Sequence, residues 1–378
     1  MRKTAAAIIL ISALVGALLP SLASANIIPP VILPAITIGS DGSISPQTES
    51  IERNGNTYTL TADIQEYPIV IECSNIVLDG AGHTVNITTG DNPALWLREV
   101  SNVIVKNVSL FSRPIYTLYL RNCDICLVSR VQTSMLIRIS GNYNNITESD
   151  TSIALFEGSN NLITRNNISD VFVGFGSSNT FFKNNFYLSD YPGSSTESLW
   201  DNGSIGNYWS NYTTKYPNAS ELGSTGIGDT PYIIQRDPYT TREYPNQTNV
   251  DRYPLMYPWG APAIHVNGLL NETYYGSFPL DFTVSKPVTW IGYSLDGQEN
   301  ATVNGNITLR GLSSGLHNVT VYAKDTFENE GASETVTFTV SVPEPFPIVP
   351  VAGAVVIAVA VIVGLLVYFK RRTRSSGL

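Results

Sequence analysis

Few residues of this sequence have the type and spacing that metal binding requires. Copper sites need clustered Cys, His and Met, but His83, His265 and His317 lie far apart in the chain. Cys123 and Cys126 form a C-x-x-C pair. Positions i and i+3 of a strand face opposite sides of a sheet, so we interpret both thiols as buried packing groups. The sequence therefore predicts no metal site and no cofactor.

The carboxylates show no catalytic pairing. Enzymes that cleave glycans need two acids at a set separation or an acid cluster with a basic proton acceptor. Asp79, Asp124 and Glu148 occupy different positions of the repeat described below, and the arginines that recur from Arg98 to Arg165 are interpreted as solvated side chains. We therefore predict that the chain is not an enzyme, with a polysaccharide lyase or glycoside hydrolase as the alternative.

Two other groups of residues point to glycans. Trp200, Tyr208, Trp209 and Tyr212 could stack on sugar rings, or they could pack inside a cap. Twelve N-x-[ST] sequons fit a glycosylated surface protein. The candidate glycosylation sites are Asn86, Asn107, Asn145, Asn167, Asn202, Asn211, Asn218, Asn246, Asn271, Asn300, Asn306 and Asn318.

Composition limits the class of protein. The 378 residues are 43% hydrophobic and only 14% charged, unlike a disordered chain. The formal net charge is −9, although six of the 22 basic residues lie in the first three and last nine positions. The body between them is strongly acidic and has no basic stripe in its sequence. We therefore expect no nucleic-acid partner.

The two ends predict export and anchoring. Residues 1–25 resemble a signal peptide with an Ala-x-Ala cleavage site. The uncharged run 348–369 is long enough to be a transmembrane helix, and the basic tail 370–378 after it is expected in the cytoplasm. Residues 343–347 (PEPFP) form a Pro-rich stalk; with the helix and tail they also resemble the segments that exosortases process. The sequence thus predicts a single-pass cell-membrane protein with an extracellular body.

The elements that must position these residues are short repeated strands. A theme of Asn followed by apolar residues recurs about every 20 residues, which is typical of a solenoid. Its copies begin at Asn75, Asn102, Asp124, Asn145, Asn161 and Asn179. The expected inward stack is Val77, Ile104, Cys126, Thr147, Ile163 and Phe181. Short β-branched copies bounded by turn residues predict strands, and hence a parallel β-helix over 74–190.

The solenoid region resembles the NosD-like right-handed β-helix family. The motifs are the opening NIVLDGAGHT at 75–84, then GIGDTPY at 226–232 and DRYPLM at 251–256. The exposed ends of a β-helix must be blocked against edge pairing, so we expect an N-terminal cap region at 26–73 and a C-terminal cap region at 191–261. The resemblance covers about residues 37–260 and implies a right-handed β-helix. It also implies copper delivery, which the scattered His and Met do not favour, and a calcium-binding loop. That loop has a single carboxylate here, Glu221, so calcium and copper are both weak alternatives.

Residues 262–342 alternate apolar and polar positions in several short runs separated by Gly-containing turns. They resemble surface immunoglobulin-like modules, which are usually spacers. The predicted fold is all-β, with a right-handed parallel β-helix, a small antiparallel immunoglobulin-like sandwich and one C-terminal transmembrane helix. We expect a cell-surface binding or scaffold protein whose partner is a glycan or another protein; a copper-delivery factor is a further alternative.

Overall fold

The computed structural model describes residues 34–187, 193–194, 197–234, 249–343 and 348–375. The predicted signal peptide, the sequon at Asn246 and residues 344–347 of the predicted stalk lie outside the described residues. The chain divides into two compact units between Ala261 and Pro262.

The first unit is a parallel β-helix of about seven turns. Its elements are β1 (Ile36–Ile38), β2 (Ile44–Ser45), β3 (Ile51–Asn54), β4 (Thr57–Leu60), β5 (Ile64–Gln65), β6 (Ile69–Ile71), β7 (Val77–Asp79), β8 (Thr84–Ile87), β9 (Leu95–Arg98), β10 (Ile104–Ser112), β11 (Tyr116–Arg121), β12 (Leu127–Ser140), β13 (Asn145–Thr147), β14 (Asp150–Glu157), β15 (Leu162–Thr164), β16 (Asn167–Phe175), β17 (Asn179–Phe182), β18 (Asn185–Phe186), β19 (Gly193–Ser194), β20 (Ser198–Leu199), β21 (Tyr208–Trp209), α1 (Tyr212–Lys215), β22 (Tyr232–Ile234) and β23 (Asn249–Asp251).

Each coil contributes to three faces. Face 1 stacks β4, β7, β10, β12, β13, β15, β17 and β20 in parallel. Face 2 stacks β5, β8, β10, β12, β14, β16, β18 and β21. Face 3 stacks β1, β6, β9, β11, β12, β14, β16 and β19. The stacking therefore extends beyond 74–190 into both regions that the sequence predicted as caps.

The core is a set of inward columns, and the expected register of one column was partly wrong. On face 1 the aligned buried residues are Tyr58, Leu78, Val105, Val128, Ile146, Ile163 and Phe181. Ile163 and Phe181 were placed correctly. Val77, Ile104 and Thr147 point outward, because adjacent residues of a strand face opposite sides.

Two asparagine ladders, fully buried, fix the corners of face 1. The first ladder joins Asn144, Asn161 and Asn179 through amide-to-carbonyl hydrogen bonds of 3.1 and 3.0 Å. The second ladder joins Asn166, Asn184 and Asn207 with bonds of 3.1 and 2.9 Å. Each side-chain amide also donates to a backbone carbonyl of the preceding coil. The ladders satisfy corner backbone groups that the parallel strands leave unpaired.

The second unit is a two-sheet β-sandwich. Its strands are β24 (Ile264–Asn267), β25 (Thr273–Tyr275), β26 (Phe278–Val284), β27 (Trp290–Leu295), β28 (Ala301–Val303), β29 (Ile307–Leu309), β30 (Gly315–Lys324), β31 (Glu330–Ala332) and β32 (Val336–Ser341). One sheet has the order β24-β26-β29, and the other has β25-β32-β30-β27-β28 with β31 beside β30. All pairings are antiparallel except β25 with β32. Phe278, Leu280 and Phe338 contribute to the core between the sheets.

A final helix, α2, spans Ile348–Ser375. Its side chains are described over 356–372, a stretch that ends in Lys370, Arg371 and Arg372. Among the described residues, no helix is both long and apolar enough to cross a membrane, so the predicted transmembrane helix at 348–369 is not supported.

Candidate functional site

The aromatic residues predicted to stack on sugars instead close the C-terminal end of the solenoid. Trp200, Trp209 and Tyr212 are at most 2% exposed. Phe186 stacks on Trp209 at 4.3 Å between ring centroids, and Tyr232 stacks on the other side at 4.2 Å. These rings present no face to a sugar, because they cover the last coil of the core. The cap interpretation is therefore correct for these three residues.

Tyr208 is the exception among the four. It ends the outward column of face 2, next to Asn185 in register, and is half-buried. The ring of the exposed Tyr187 meets it edge-on at 6.0 Å. The alternation in β21 explains the difference: Trp209 points into the core, so its neighbour Tyr208 must point out. Tyr208 and Tyr187 therefore form an aromatic pair on the side of the solenoid.

The second ladder ends on a buried carboxylate that sequence reasoning missed. Asp251 Oδ2 accepts hydrogen bonds from the Asn207 backbone N–H at 2.8 Å and from Trp209 Nε1 at 2.9 Å. Its Oδ1 accepts from Tyr253 N at 3.1 Å. Burial raises the pKa of Asp251 to about 7, against the lowering effect of these donors. The DRYPLM motif contains this residue, so the motif marks the end of the second ladder.

The cysteine pair has a different geometry from the one expected. Cys123 and Cys126 lie in the turn between β11 and β12, where Ile125 has a left-handed φ of 59°. The turn brings both thiols into the core, so the argument from strand alternation was wrong, although both side chains are buried. The neighbouring Cys126 thiol and burial raise the pKa of Cys123. Both cysteines are free thiols.

The three histidines lie apart, each in its own surroundings. His83 Nδ1 is 3.3 Å from Asp63, His317 Nδ1 is 2.7 Å from Asp296, and His265 is exposed on β24. Within the described ranges, no group of three or more His, Cys, Asp or Glu side chains is arranged to hold a metal ion.

The acids weighed as catalytic candidates are likewise separated. Asp79 binds Lys106 at 2.9 Å, and Asp124 accepts from Asn142 N at 2.7 Å. Glu148 lies between two arginines, as described below. The structure does not bring Asp79, Asp124 and Glu148 together, because they occupy three different positions of the coil.

The outward columns form the accessible surface of the solenoid. Face 1 presents the half-exposed aliphatic residues Val77, Ile104, Leu127 and Leu162, and then the exposed Leu199. Face 2 presents a polar column: Asn167 donates to Asp150 at 2.6 Å, and Asn185 donates to Asn167 at 2.8 Å.

Face 3 is covered by its own aromatic and cationic groups. Trp96 and Tyr119 stack at 5.8 Å, and the Arg98 guanidinium lies 3.8 Å from the ring centre of Trp96. Trp96 is therefore 2% exposed although it points out of the sheet.

Most described sequons are accessible. Asn202, Asn211, Asn218, Asn271, Asn300, Asn306, Asn318 and Asn167 are exposed, whereas Asn86, Asn107 and Asn145 are half-buried in the solenoid. Asn107 is also engaged, since it donates to Asp79 at 3.1 Å and accepts from Arg130 at 2.7 Å.

Fold and surface together define the chain's first unit as a parallel β-solenoid. No family model matches the chain. It is similar to halomucin of Haloquadratum walsbyi, with 41% identity over 73 residues. The match covers 18% of this chain and 1% of halomucin, so the chain spans a very small part of that protein.

Proposed function

We propose that this chain is an exported cell-surface protein with a binding or scaffold role and no catalytic activity. Its exposed sequons, its acidic net charge and its low content of charged residues support a location outside the cell, and the short similarity to halomucin is in keeping with it. The location does not depend on α2 crossing a membrane.

The single observation that carries the binding role is the shape of the accessible surface. The aromatic cap covers the C-terminal end of the core, so ligands can approach the solenoid from the side. There, residues of successive coils repeat in straight columns about 4.8 Å apart. Such a surface suits an extended partner with a repeating structure, and we propose a glycan.

The proposal also assigns each of the two units to a structural family. The order of GIGDTPY and DRYPLM supports a NosD-like β-helix, and the two packed sheets of residues 262–342 support an immunoglobulin-like spacer. The sandwich would then serve as a spacer, and the solenoid would carry the binding surface.

A glycan array with the purified full-length protein tests the proposal. We expect binding to extended polysaccharides that is reduced when Tyr208→Ala and Tyr187→Ala are combined, since aromatic faces contribute to sugar stacking. Tyr143→Ala is the matched control, because Tyr143 is exposed at a corner of another face. An array without any bound glycan would contradict the proposed function.

A further inference from the structure

The corner between faces 1 and 2 carries a column of charged side chains on four successive coils. Arg130, Glu148, Arg165 and Lys183 each occupy the same left-handed turn position, with φ of 50°, 53°, 60° and 60°. We call these four residues the charged ridge. Equivalent residues of neighbouring coils are about 4.8 Å apart, so the ridge is a straight line along the solenoid.

The turn itself does not require charge. The corresponding left-handed position at the other corner of face 1 is occupied by Asn102, Tyr143, Asn160 and Ser178, none of them a cation. Asparagine tolerates this conformation better than most residues. Arg and Lys therefore occupy positions where an uncharged residue would serve the fold as well or better, and conformational strain of this kind is found at functional sites.

The ridge has an unbalanced positive charge. Arg130 Nη1 is 3.2 Å from Glu148 and Arg165 Nη1 is 3.8 Å from it, so one carboxylate serves two guanidinium groups. The side chains of Arg130 and Arg165 are 55% and 51% exposed. Burial and the positive charge of Arg165 lower the pKa of Lys183. Three cations face one acid on a chain whose formal net charge is −9.

The ridge is also held rigidly. Each of its last two cations is followed by a member of the second ladder: Asn166 follows Arg165, and Asn184 follows Lys183. Ser149, after Glu148, donates its backbone N–H to Asn166 Oδ1 at 3.0 Å. The backbone of the ridge is thus fixed before any ligand arrives, which lowers the entropic cost of binding.

Aromatic rings lie beside the end of the ridge. The Lys183 ammonium is 4.4 Å from the ring centre of Trp259. Asn185, two residues on, accepts from Trp259 N at 2.6 Å and is in register with Tyr208. Rings next to cations suit a ligand that has both sugar rings and negative charges.

We propose that the charged ridge binds a linear acidic polysaccharide, with successive carboxylate or sulfate groups on Arg130, Arg165 and Lys183. The inference rests on the proposed function and names its ligand class. The line of cations fits a linear polymer better than a compact anion. Arginine can donate two parallel N–H groups to two oxygens of a carboxylate or sulfate. The exposed ion pairs with Glu148 would add little to stability by themselves.

The experiment measures binding of the full-length protein to four immobilised polymers: a polyuronate, a sulfated dextran, neutral dextran and polyphosphate. Arg130→Gln combined with Arg165→Gln should weaken binding to the acidic polysaccharides at least about tenfold. Glu148→Gln should tighten it several-fold, because it removes the competing carboxylate. Arg113→Gln, an exposed arginine on another part of the surface, is the matched control and should change nothing.

Each result decides the proposal. Opposite effects of the arginine and Glu148 variants support it, and because a folding defect cannot tighten binding, Glu148→Gln is decisive even if the double variant is unstable. If the arginine double variant and Glu148→Gln both bind with unchanged affinity, or if Arg113→Gln loses as much affinity as the double variant, the charged ridge is not the binding site. Such a result would leave glycan binding by another surface of the protein intact. Equal affinity for polyphosphate would refute the polysaccharide assignment. Failure of the parent protein to bind any polysaccharide would refute the proposed function as well.

Discussion

The second ladder makes a direct prediction about stability, which Asn184→Leu tests. Asn184 is fully buried, and Leu has a similar size without the amide. The change removes the acceptor of the Asn166 backbone N–H, at 3.1 Å, and a donor to the Ile163 carbonyl, at 2.9 Å. It also removes the amide bonds to Asn166 and Asn207, at 3.1 and 2.9 Å.

The expected loss follows from those four contacts. A buried N–H without an acceptor costs about 1–3 kcal/mol, and each other lost bond about 0.5–1.5 kcal/mol. The free energy of unfolding should fall by about 2.5–7.5 kcal/mol, which is a large part of a domain's total of about 5–15 kcal/mol. Because solenoid stability is a sum over neighbouring coils, the loss should appear first in the last coils.

Urea unfolding of recombinant, unglycosylated protein measures the loss. Tryptophan fluorescence should begin to change at lower urea than circular dichroism of the whole solenoid, since Trp200 and Trp209, two of the five tryptophans, lie in the final coils. Asn167→Leu is the matched control: its amide also forms a ladder contact, but on the exposed face 2, so it should cost less than about 1 kcal/mol. Equal midpoints for Asn184→Leu and the parent would refute the structural role of the ladder.

Three further predictions follow from the same contacts. Ile163→Asp should prevent folding, since a buried unpaired charge costs several kcal/mol, whereas the outward neighbour Leu162→Asp should fold; thermal melts that rank them the other way would show that the register is wrong. Because the folded Asp251 has a raised pKa of about 7, the folded state keeps a proton that the unfolded state has released, and stability should fall by up to about 4 kcal/mol as pH rises from 4 to 7. Asp251→Asn should flatten that slope in urea midpoints taken at fixed salt. In a glycosylating host, peptide mass spectrometry should find glycan on the exposed Asn218 and none on Asn107, whose amide is bonded to Asp79 and Arg130; the reverse occupancy would contradict this assignment.

The sequence predicted the solenoid but placed part of its register one residue off, because two kinds of asparagine look alike. Asn75 and Asn102 are left-handed corner residues, with φ of 61° and 54°. Asn161 and Asn179 are the buried ladder residues one position later. The sequence alignment treated these four asparagines as equivalent. It therefore placed the inward residue one position too early in the coils of Asn75 and Asn102, and correctly in the coils of Asn161 and Asn179. The difference lies in backbone conformation, which residue type alone does not reveal.

Site residues were harder to predict because a solenoid brings together residues that are one coil apart in sequence. The aromatic cluster was visible because Trp200, Tyr208 and Trp209 are close in the chain, but their burial depends on Tyr232 and Asp251, which come from later segments.

The sandwich boundary at 261/262 follows a change in pattern that is local, and it was predicted at that position.

The charged ridge shows why an acidic chain without a basic stripe in its sequence can still present one on its surface. Arg130, Glu148, Arg165 and Lys183 are separated by 17 or 18 residues, the length of one coil, so no sequence window contains two of the cations side by side. Their common signal is positional: in the last two coils the charged residue directly precedes a ladder asparagine. Since the ladder asparagine must face the core and the turn must be left-handed, the preceding side chain has to point to solvent. The fold therefore does not determine whether that side chain is charged, because the ladder beneath it maintains the fold. A charge there can serve to bind a partner.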